Sequence, residues 1–419
     1  MAVIVQKFGG SALATPEGRA QAALRVKEAR DKGYGVVAVA SSSGEDRDPY
    51  STEALLGLAK GVGLPPDPRE QDLLLSCAAT ISSVLLVDAL ERIGRPAVAL
   101  SGGQAGVITD ERHGSAEIAR IDPGPLQAVL ADGRVPVVAG SQGVSEDGEI
   151  TTLGHGGTDT LATALGVALK AEVVEIYRDH AGVTTVDPSL VPEARTLEVI
   201  SYEELYEMSR HGARVVYPRA AALARRNGVQ MRVRSVFEAG RQTTLSEALP
   251  PQKTPRQAPA RIITGITHNT GLAQLRIKVP LSFGLTGMGK SHHEVARKRS
   301  ETEVKIFGRL GTAGINVDLV SLAEDMICFT VREDVAEDAR RLLEAEGLAC
   351  DVSGSCAKIT LIGLGMQNIP GVLAGVIQCL YDAGAPVLQT ADSEITISCL
   401  VPETELGKAV QALHAKFLS

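Results

Sequence analysis

Near its start the chain reads Val3-Ile4-Val5-Gln6-Lys7-Phe8-Gly9-Gly10-Ser11. The first four residues are mostly β-branched and are typical of a short buried strand. The two glycines then impose a tight turn, and the pattern is helical from Pro16 onward. Such a turn directs several backbone N–H groups to one point, where an anion is favoured, and Lys7 adds a positive charge. Taken alone, the pattern is more typical of an ordinary strand-to-helix connection with a surface lysine.

A second glycine-rich turn far along the chain makes the anion site the better interpretation. It reads Gly154-His155-Gly156-Gly157-Thr158-Asp159. Two such turns suggest that the protein binds the two ends of a polyphosphate. Asp159 could orient Lys7 or a metal-bound water, and it could also act as the N-cap of a helix expected over Thr160–Leu169.

The composition limits the class of protein and its partners. A chain of 419 residues with 44% hydrophobic content can form two or three domains with their own cores. The net charge of -8 argues against nucleic acid or an anionic membrane as a partner. We expect a cytoplasmic protein, because no apolar run approaches the roughly 20 residues of a membrane span and no leader precedes the first strand. The six cysteines form no zinc-type cluster, and free thiols are expected.

The first part of the chain, residues 1–245, alternates predicted strands with helical segments. The further strands are expected at Val36–Ala40, Ala97–Leu100, Val135–Ala139 and Val173–Tyr177. Their continuous apolar character indicates a sheet covered by helices on both faces, which is a three-layer, open, mostly parallel α/β domain. Each strand ends in Gly, Ser or Asp, and the carboxyl ends of such strands are where open α/β sheets bind ligands.

The remainder of the chain contains a linker and an internal repeat. Residues 246–261 are rich in proline and lack periodicity, as linkers do. Beyond them, the segment Ala313–Val317 matches Ala383–Val387 at an offset of 70, while the opening strands lie 84 apart. We therefore predict two βαββαβ ferredoxin-like units, at 262–350 and 351–419. The first carries 14 extra residues within 280–303, the difference between the two offsets.

Four segments resemble the signature motifs of aspartokinases, which belong to the amino acid kinase superfamily. They are Lys7–Ser11, Gln104–Asp110, Val138–Gly143 and Thr151–Gly154, and the resemblance extends in order over nearly all 419 residues. It implies transfer of a phosphoryl group from ATP, accompanied by Mg²⁺, to the carboxylate of an amino acid. The repeated unit resembles paired ACT domains, which implies a homodimer or larger assembly and either an amino acid effector or a dimerisation platform that binds no ligand.

The resemblance also implies roles for individual residues. Lys7 and Asp159 are the expected catalytic residues. Phosphate or nucleotide contacts are expected from Gly9, Gly10, Ser11, Gly156, Gly157, Thr158, Arg178, Asp179 and Arg214. Substrate contacts are expected at Ser41, Ser42, Ala79 and His155, and effector contacts at Ile315, Asn316 and Val317.

Some positions depart from the aspartokinase pattern. Ala79 stands where aspartokinases have a Glu that contacts the substrate amino group, and His155 stands where they have an Arg that contacts a carboxylate. On the nucleotide side, Thr184 and Ser189 replace a Tyr and an Arg. Three functions stay open: an aspartate kinase, a kinase for a different carboxylate, and a catalytically impaired regulatory or binding protein. The phosphate-handling residues favour an active kinase.

Overall fold

The structure is a computed structural model that describes most of the chain. The described residues are 1–43, 48–60, 67–180, 182–213, 215–238, 240–247, 263–278, 292–323, 325–366 and 369–418. They divide into two compact units. The first comprises Met1–Thr184, Arg195–Arg210 and the described part of Arg214–Lys253, and we call it the kinase unit after the resemblance noted above. The second, the repeat unit, comprises Thr185–Ala194, His211–Ala213 and the described part of Thr254–Ser419.

The kinase unit alternates strands and helices along the chain. Its strands are β1 (Val3–Phe8), β2 (Gly35–Ala40), β3 (Ala97–Leu100), β4 (Val107–Thr109), β5 (Ile118–Ile121), β6 (Val135–Ala139), β7 (Gln142–Val144), β8 (Ile150–Thr152), β9 (Val173–Arg178), β10 (Val199–Ser201), β11 (Gln230–Ser235) and β12 (Gln242–Ser246). Its helices are α1 (Gly10–Leu13), α2 (Pro16–Asp31), α3 (Thr52–Lys60), α4 (Pro68–Arg92), α5 (Gly124–Ala131), α6 (Gly157–Ala168), α7 (Tyr202–Arg210) and α8 (Pro218–Arg226).

An eight-stranded sheet forms the centre of this unit, in the order β10-β12-β11-β9-β1-β2-β6-β3. All neighbouring strands are parallel except β11 and β12. Helices α2 and α4 cover one face, and α6 packs against β1 and β9 on the other. A smaller four-stranded sheet has the order β5-β4-β7-β8. This arrangement confirms the predicted three-layer α/β fold and places the carboxyl end of β1 at the middle of the sheet.

Helix α4 is the exception to the expectation that no apolar run would approach the length of a membrane span. Among the described residues it is the one helix long and apolar enough to pass that test, by length and composition only. A core helix of a soluble protein passes the same test. Leu86 and Leu90 of α4 are fully buried in the core beneath the sheet, whereas Ile81 and Val84 are exposed, so packing within the unit accounts for part of the apolar sequence.

The repeat unit contains the expected strands and helices, with two strands longer than predicted. Its strands are β13 (Gly265–Lys278), β14 (Asp318–Leu322), β15 (Met326–Arg332), β16 (Cys350–Ile362), β17 (Gln389–Asp392) and β18 (Thr396–Pro402). Its helices are α9 (His292–Thr312), α10 (Ala336–Ala345), α11 (Val372–Asp382) and α12 (Leu406–Phe417). One sheet contains all six strands, in the order β14-β15-β13-β16-β18-β17.

Both repeats use the two long strands. The first half of β13, Gly265–Asn269, pairs with Lys358–Ile362 in the second half of β16. Its second half pairs with β15 and with the first half of β16, beyond register shifts between Asn269 and Gln274. The sheet of the second repeat is therefore completed by residues that precede the first repeat in the sequence.

Polar side chains also join the two repeats. Gln274 of β13 donates from Nε2 to Oε1 of Gln389 at 2.9 Å, and both residues are buried. Lys358 of β16 is buried and forms an ion pair with Asp318 of β14. Gln274 and Lys358 are 84 residues apart, which is the offset of the opening strands, so these contacts occupy equivalent places in the two repeats.

The two units interleave along the sequence. The segment Thr185–Ala194 belongs to the repeat unit, where Val186 and Val191 join the core of the second repeat. Residues 248–261 of the predicted linker lie outside the described residues, as do residues 280–291 of the segment 280–303 that contains the predicted insertion. The predicted domain bounds therefore stay predictions. All six cysteines are free.

Candidate active site

Lys7 and Asp159 form a buried ion pair at the centre of the kinase unit. The Nζ atom of Lys7 lies 2.7 Å from Oδ1 of Asp159, and each side chain is 6% exposed. Lys7 is the fifth residue of β1, and its pairing partner across the sheet is Ile176 of β9. The pair therefore brings the first glycine-turn segment and the second together, as the sequence predicted.

Asp159 lies within the first turn of α6 and does not cap the helix. The N-cap is Gly156, at φ 72°, and no side chain caps the helix there. The alternative of Asp159 as an N-cap is wrong, because the helix begins earlier than the expected Thr160. The second carboxylate oxygen accepts a hydrogen bond from the amide of Tyr217 at 3.0 Å. Both oxygens of Asp159 are thus held, and a carboxylate is stabilised in the first turn of a helix.

Arg178, the last residue of β9, supplies a second positive charge to this site. Along β9, Ile176 and Arg178 share the sheet face on which Lys7 lies, because side chains alternate along a strand. The Nε atom of Arg178 is buried and has no hydrogen-bond partner within the described residues. Two cations here face one carboxylate, which leaves a net positive charge.

The charges of this cluster shift the pKa values of its members. Burial lowers the pKa of Lys7, and Arg178 lowers it further, while Asp159 opposes both. Burial acts to raise the pKa of Asp159, but the Lys7 and Arg178 cations outweigh it and hold that pKa below its ordinary value. Asp159 is therefore ionised at neutral pH, and an anionic ligand would relieve the repulsion between the two cations.

The first glycine turn links β1 to β9 through a backbone hydrogen bond, whereas the sequence predicted that its amides would face an anion. The amide of Gly9 donates to the carbonyl of Tyr177 at 3.0 Å, so it is not directed at a phosphate. Gly10 and Ser11 begin the short helix α1. Asp179 follows β9, and its pKa falls to about 2 because it accepts hydrogen bonds from His180 and, more weakly, from Ser11.

The second glycine turn makes room for an aromatic ring that the sequence analysis did not single out. A Cβ atom on Gly156 would lie 2.0 Å from the ring of Tyr217. Gly157 and Thr158 are buried at the start of α6. Tyr217 precedes Pro218, the first residue of α8, and this Tyr-Pro pair is the local signal for its position. The turn therefore lets Tyr217 approach closely enough for its amide to reach Asp159.

A buried polar network fixes the strands from the opposite face of the sheet. Glu175 accepts hydrogen bonds from Gln6 at 2.9 Å, from the hydroxyl of Tyr177 at 3.0 Å and from Arg234 at 2.8 Å. Burial, and then the Glu175 charge, raise the pKa of Tyr177 well above its ordinary value. These contacts join β1, β9 and β11, and they hold Lys7 and Arg178 in fixed relative positions.

The four residues expected to contact the substrate differ from one another in burial and in polar contacts. The amide of Ser41 donates to the carbonyl of Phe8 at 3.1 Å, which places the end of β2 beside the end of β1. The Ser42 hydroxyl lies 3.1 Å from that of Thr52. Ala79 is 4% exposed and offers no polar group. His155 is exposed and lies edge-on to the Tyr217 ring, with centroids 5.8 Å apart.

Other expected residues belong to the repeat unit or lie outside the described part of the chain. Arg214 is outside the described residues. Ile315 and Val317 pack against the core of the first repeat, and Asn316 between them is exposed. Within the described residues, no group of three or more His, Cys, Asp or Glu side chains could hold a metal ion.

The kinase unit is an open α/β domain with Lys7 and Arg178 near the carboxyl ends of parallel strands, an arrangement that favours an anionic ligand. The model of the amino acid kinase family matches residues 2–235, and an ACT domain model matches residues 351–415. Aspartokinase 1 of Bacillus subtilis is 40% identical over 417 residues, covering 100% of this chain and 99% of that protein. The aspartokinase of Thermus thermophilus is 34% identical over 430 residues, covering 100% of this chain and 99% of that protein.

Solved structures show the same fold. Escherichia coli aspartokinase III, crystallised with aspartate and ADP, aligns with a TM-score of 0.75 at 22% identity, over 100% of both chains. The aspartate kinase of Synechocystis aligns with a TM-score of 0.53 at 32% identity, over 99% of this chain and 69% of that one. The chain therefore belongs to the amino acid kinase family and, within it, to the aspartokinases.

Proposed function

We propose that this protein transfers the terminal phosphoryl group of ATP to the carboxylate of aspartate or a related amino acid, forming an acyl phosphate. The observation that carries the proposal is the buried cluster of Lys7, Asp159 and Arg178 at the carboxyl ends of β1 and β9. The Bacillus subtilis relative is named an aspartokinase, and the Escherichia coli structure contains aspartate and ADP, which supports both the nucleotide and the acceptor.

Phosphoryl transfer to a carboxylate requires that the reactants be positioned and their negative charge neutralised, and it does not require a general base. A carboxylate oxygen of the acceptor forms a bond to the terminal phosphorus as the bond from that phosphorus to the bridging oxygen breaks, and ADP leaves with the electron pair. The acceptor carboxylate is already ionised, so no proton must be removed. Lys7 would neutralise the transferred group, and Asp159 would keep the Lys7 ammonium in place.

The remaining proposed contacts rest on the resemblance to aspartokinases. Mg²⁺ would accompany the nucleotide and neutralise phosphate charge, since magnesium is typically bound through phosphates with few protein ligands. Asp159 and Asp179 are the candidate carboxylates for hydrogen bonds to the waters of such an ion. We propose nucleotide contacts by Gly10, Ser11, Gly157, Thr158 and Arg214 and acceptor contacts by Ser41, Ser42, Ala79 and His155.

We further propose that the repeat unit senses an amino acid and joins two or more chains. The turn at Ile315, Asn316 and Val317 is the candidate effector site. A structure of Escherichia coli aspartokinase III contains lysine and aspartate, which supports a small-molecule effector for this group of proteins. Leu373, Ile377 and Tyr381 form an exposed apolar stripe on α11, and such a stripe favours pairing with a second chain. We propose a cytoplasmic location.

A hydroxylamine trapping assay with ATP and a panel of amino and dicarboxylic acids tests the catalytic proposal. Acyl phosphate should form with at least one acceptor, and Lys7→Met should abolish it, because the methionine fills the same space without the charge. Lys27→Met is the matched control, since Lys27 is 41% exposed and pairs with Asp31 on α2. No hydroxamate with any acceptor, from a protein that binds ATP, would contradict the proposal. That result would favour a regulatory or binding protein.

A further inference from the structure

Arg178 stands one residue beyond the last paired position of β1 and β9. The pairing ends at Phe8 and Tyr177, so the next residues on the two strands are Gly9 and Arg178. Lys7 pairs with Ile176, which places Arg178 about 7 Å further toward the carboxyl end of the sheet. The two cations therefore lie in sequence along the sheet face that α6 covers.

Gly9 carries no side chain beside the Lys7 ammonium. A Cβ atom on Gly9 would lie 3.7 Å from the Nζ atom of Lys7 and 3.4 Å from the carbonyl oxygen of Tyr177. Both distances are those of ordinary contact, so an atom at this position would touch Lys7 without a clash. An anionic group there would meet Lys7, with Arg178 on the same sheet face one residue beyond the last paired position.

The charges and hydrogen bonds of Arg178 show a donor without a matching acceptor. Asp159 makes its close ion pair with Lys7 and accepts from the Tyr217 amide. The buried Nε of Arg178 has no partner within the described residues, and a buried donor left unsatisfied is costly. A planar guanidinium can bind a phosphate through two parallel hydrogen bonds.

We propose that Arg178 binds the terminal phosphate of the nucleoside triphosphate opposite Lys7 and stabilises the charge on the phosphoryl group during transfer. This inference rests on the proposed phosphoryl transfer and adds a second catalytic cation to it. The terminal phosphate is the one that ATP has and ADP lacks. Arg178 thus gives the protein a means to distinguish the two nucleotides.

Titration calorimetry with ATP and with ADP, each with Mg²⁺, tests the inference without an acceptor. Arg178→Gln should weaken ATP binding about 10–100-fold, which corresponds to one charge-assisted hydrogen bond or two. ADP binding should change by less than about threefold, because only screened long-range charge is lost. Arg178→Lys should recover part of the ATP affinity, since it keeps the charge but loses the planar donor geometry.

Arg232→Gln is the matched control. Arg232 lies on β11 and also has a buried Nε without a partner among the described residues, but it pairs with Glu175 and so faces the opposite side of the sheet. This variant should leave both affinities unchanged. A melting temperature measured for each variant separates loss of contact from loss of fold.

The outcomes of these experiments are distinct. Equal losses of ATP and ADP affinity in Arg178→Gln, or no loss of either, would overturn the inference. Protein that binds ATP more tightly than ADP through Arg178 but phosphorylates no acceptor would support the contact between Arg178 and the terminal phosphate, and it would refute both the proposed function and the role of Arg178 in transfer. Wild-type protein that binds neither nucleotide would refute both.

Discussion

Replacing Asp159 with asparagine should destabilise the kinase unit, because it leaves Lys7 buried without its counterion. Removing one partner of a buried ion pair costs about 3–5 kcal/mol. The amide oxygen of the new side chain can still accept from the backbone of Tyr217, and that bond is worth about 1 kcal/mol. We therefore expect a loss near the lower value, about 3 kcal/mol, or more than a hundredfold in the unfolding equilibrium.

Urea unfolding followed by far-ultraviolet circular dichroism measures this loss, since the chain has no tryptophan. Asp31→Asn is the control, because Asp31 forms exposed pairs with Lys27 and Arg95 and should leave the midpoint unchanged. The double variant Lys7→Met with Asp159→Asn should be more stable than Asp159→Asn alone, since the buried Lys7 ammonium is removed together with its counterion. An Asp159→Asn protein with the wild-type midpoint would refute the reasoning.

The pH dependence of the same measurement follows from the pKa of Asp159. That pKa is lower in the folded protein than its ordinary value of 3.8, so the ionised carboxylate stabilises the fold above that pH. The stabilisation should persist from neutral pH down to 3.8 and disappear as the pH falls through the folded-state pKa. The difference between wild type and Asp159→Asn should therefore close only in acid below pH 3.8. A difference that closes near neutral pH would contradict this assignment.

Three further predictions concern the turn, the acceptor and the assembly. Gly156→Ala should lower activity and destabilise the protein by about 1–3 kcal/mol, because its φ is 72° and the new Cβ would meet the Tyr217 ring; steady-state kinetics and unfolding of the variant measure both. The kcat/KM for aspartate should be about 10²–10⁴ times lower than that of an ordinary aspartokinase, because two charge-assisted contacts are missing. The double variant Ala79→Glu with His155→Arg should raise it more than either change alone, and wild-type turnover at ordinary aspartokinase rates would contradict this. Light scattering at micromolar concentration should show at least a dimer, and a monomer would contradict pairing through the repeat unit.

The sequence predicted the parts of the fold that depend on local pattern. Continuous apolar runs located β2, β3, β6 and β9, and the helical pattern from Pro16 matches α2. The pairing of Lys7 with Asp159 followed from two glycine turns and a family resemblance. The cap assignment failed because α6 begins at Gly157, three residues before the expected Thr160. Its N-cap is Gly156, which has a positive φ.

Contacts between distant parts of the chain could not be read from local pattern. The amide of Tyr217 reaches Asp159 across 58 residues, and a backbone donor leaves no trace in residue type. The Gly9 amide was expected to face a phosphate, but sheet pairing with Tyr177 uses it. The full lengths of β13 and β16 were missed because matching the repeats only locates segments with similar sequences. In the structure, these two strands also form hydrogen-bonded pairs with each other, and those pairs join the two repeats.

The sharing of β13 and β16 makes the first repeat an insertion within the second. A fragment beginning at residue 351 would lack Gly265–Asn269 and would open a new edge along Lys358–Ile362. It would also lose Ile266, which is 1% exposed and belongs to the core of the second repeat. The two copies thus cannot be separated by any single cut of the chain. We expect the two copies to be inherited and exchanged between proteins as one module, and to unfold together. A distortion of one copy should be transmitted to the other through the continuous strands β13 and β16.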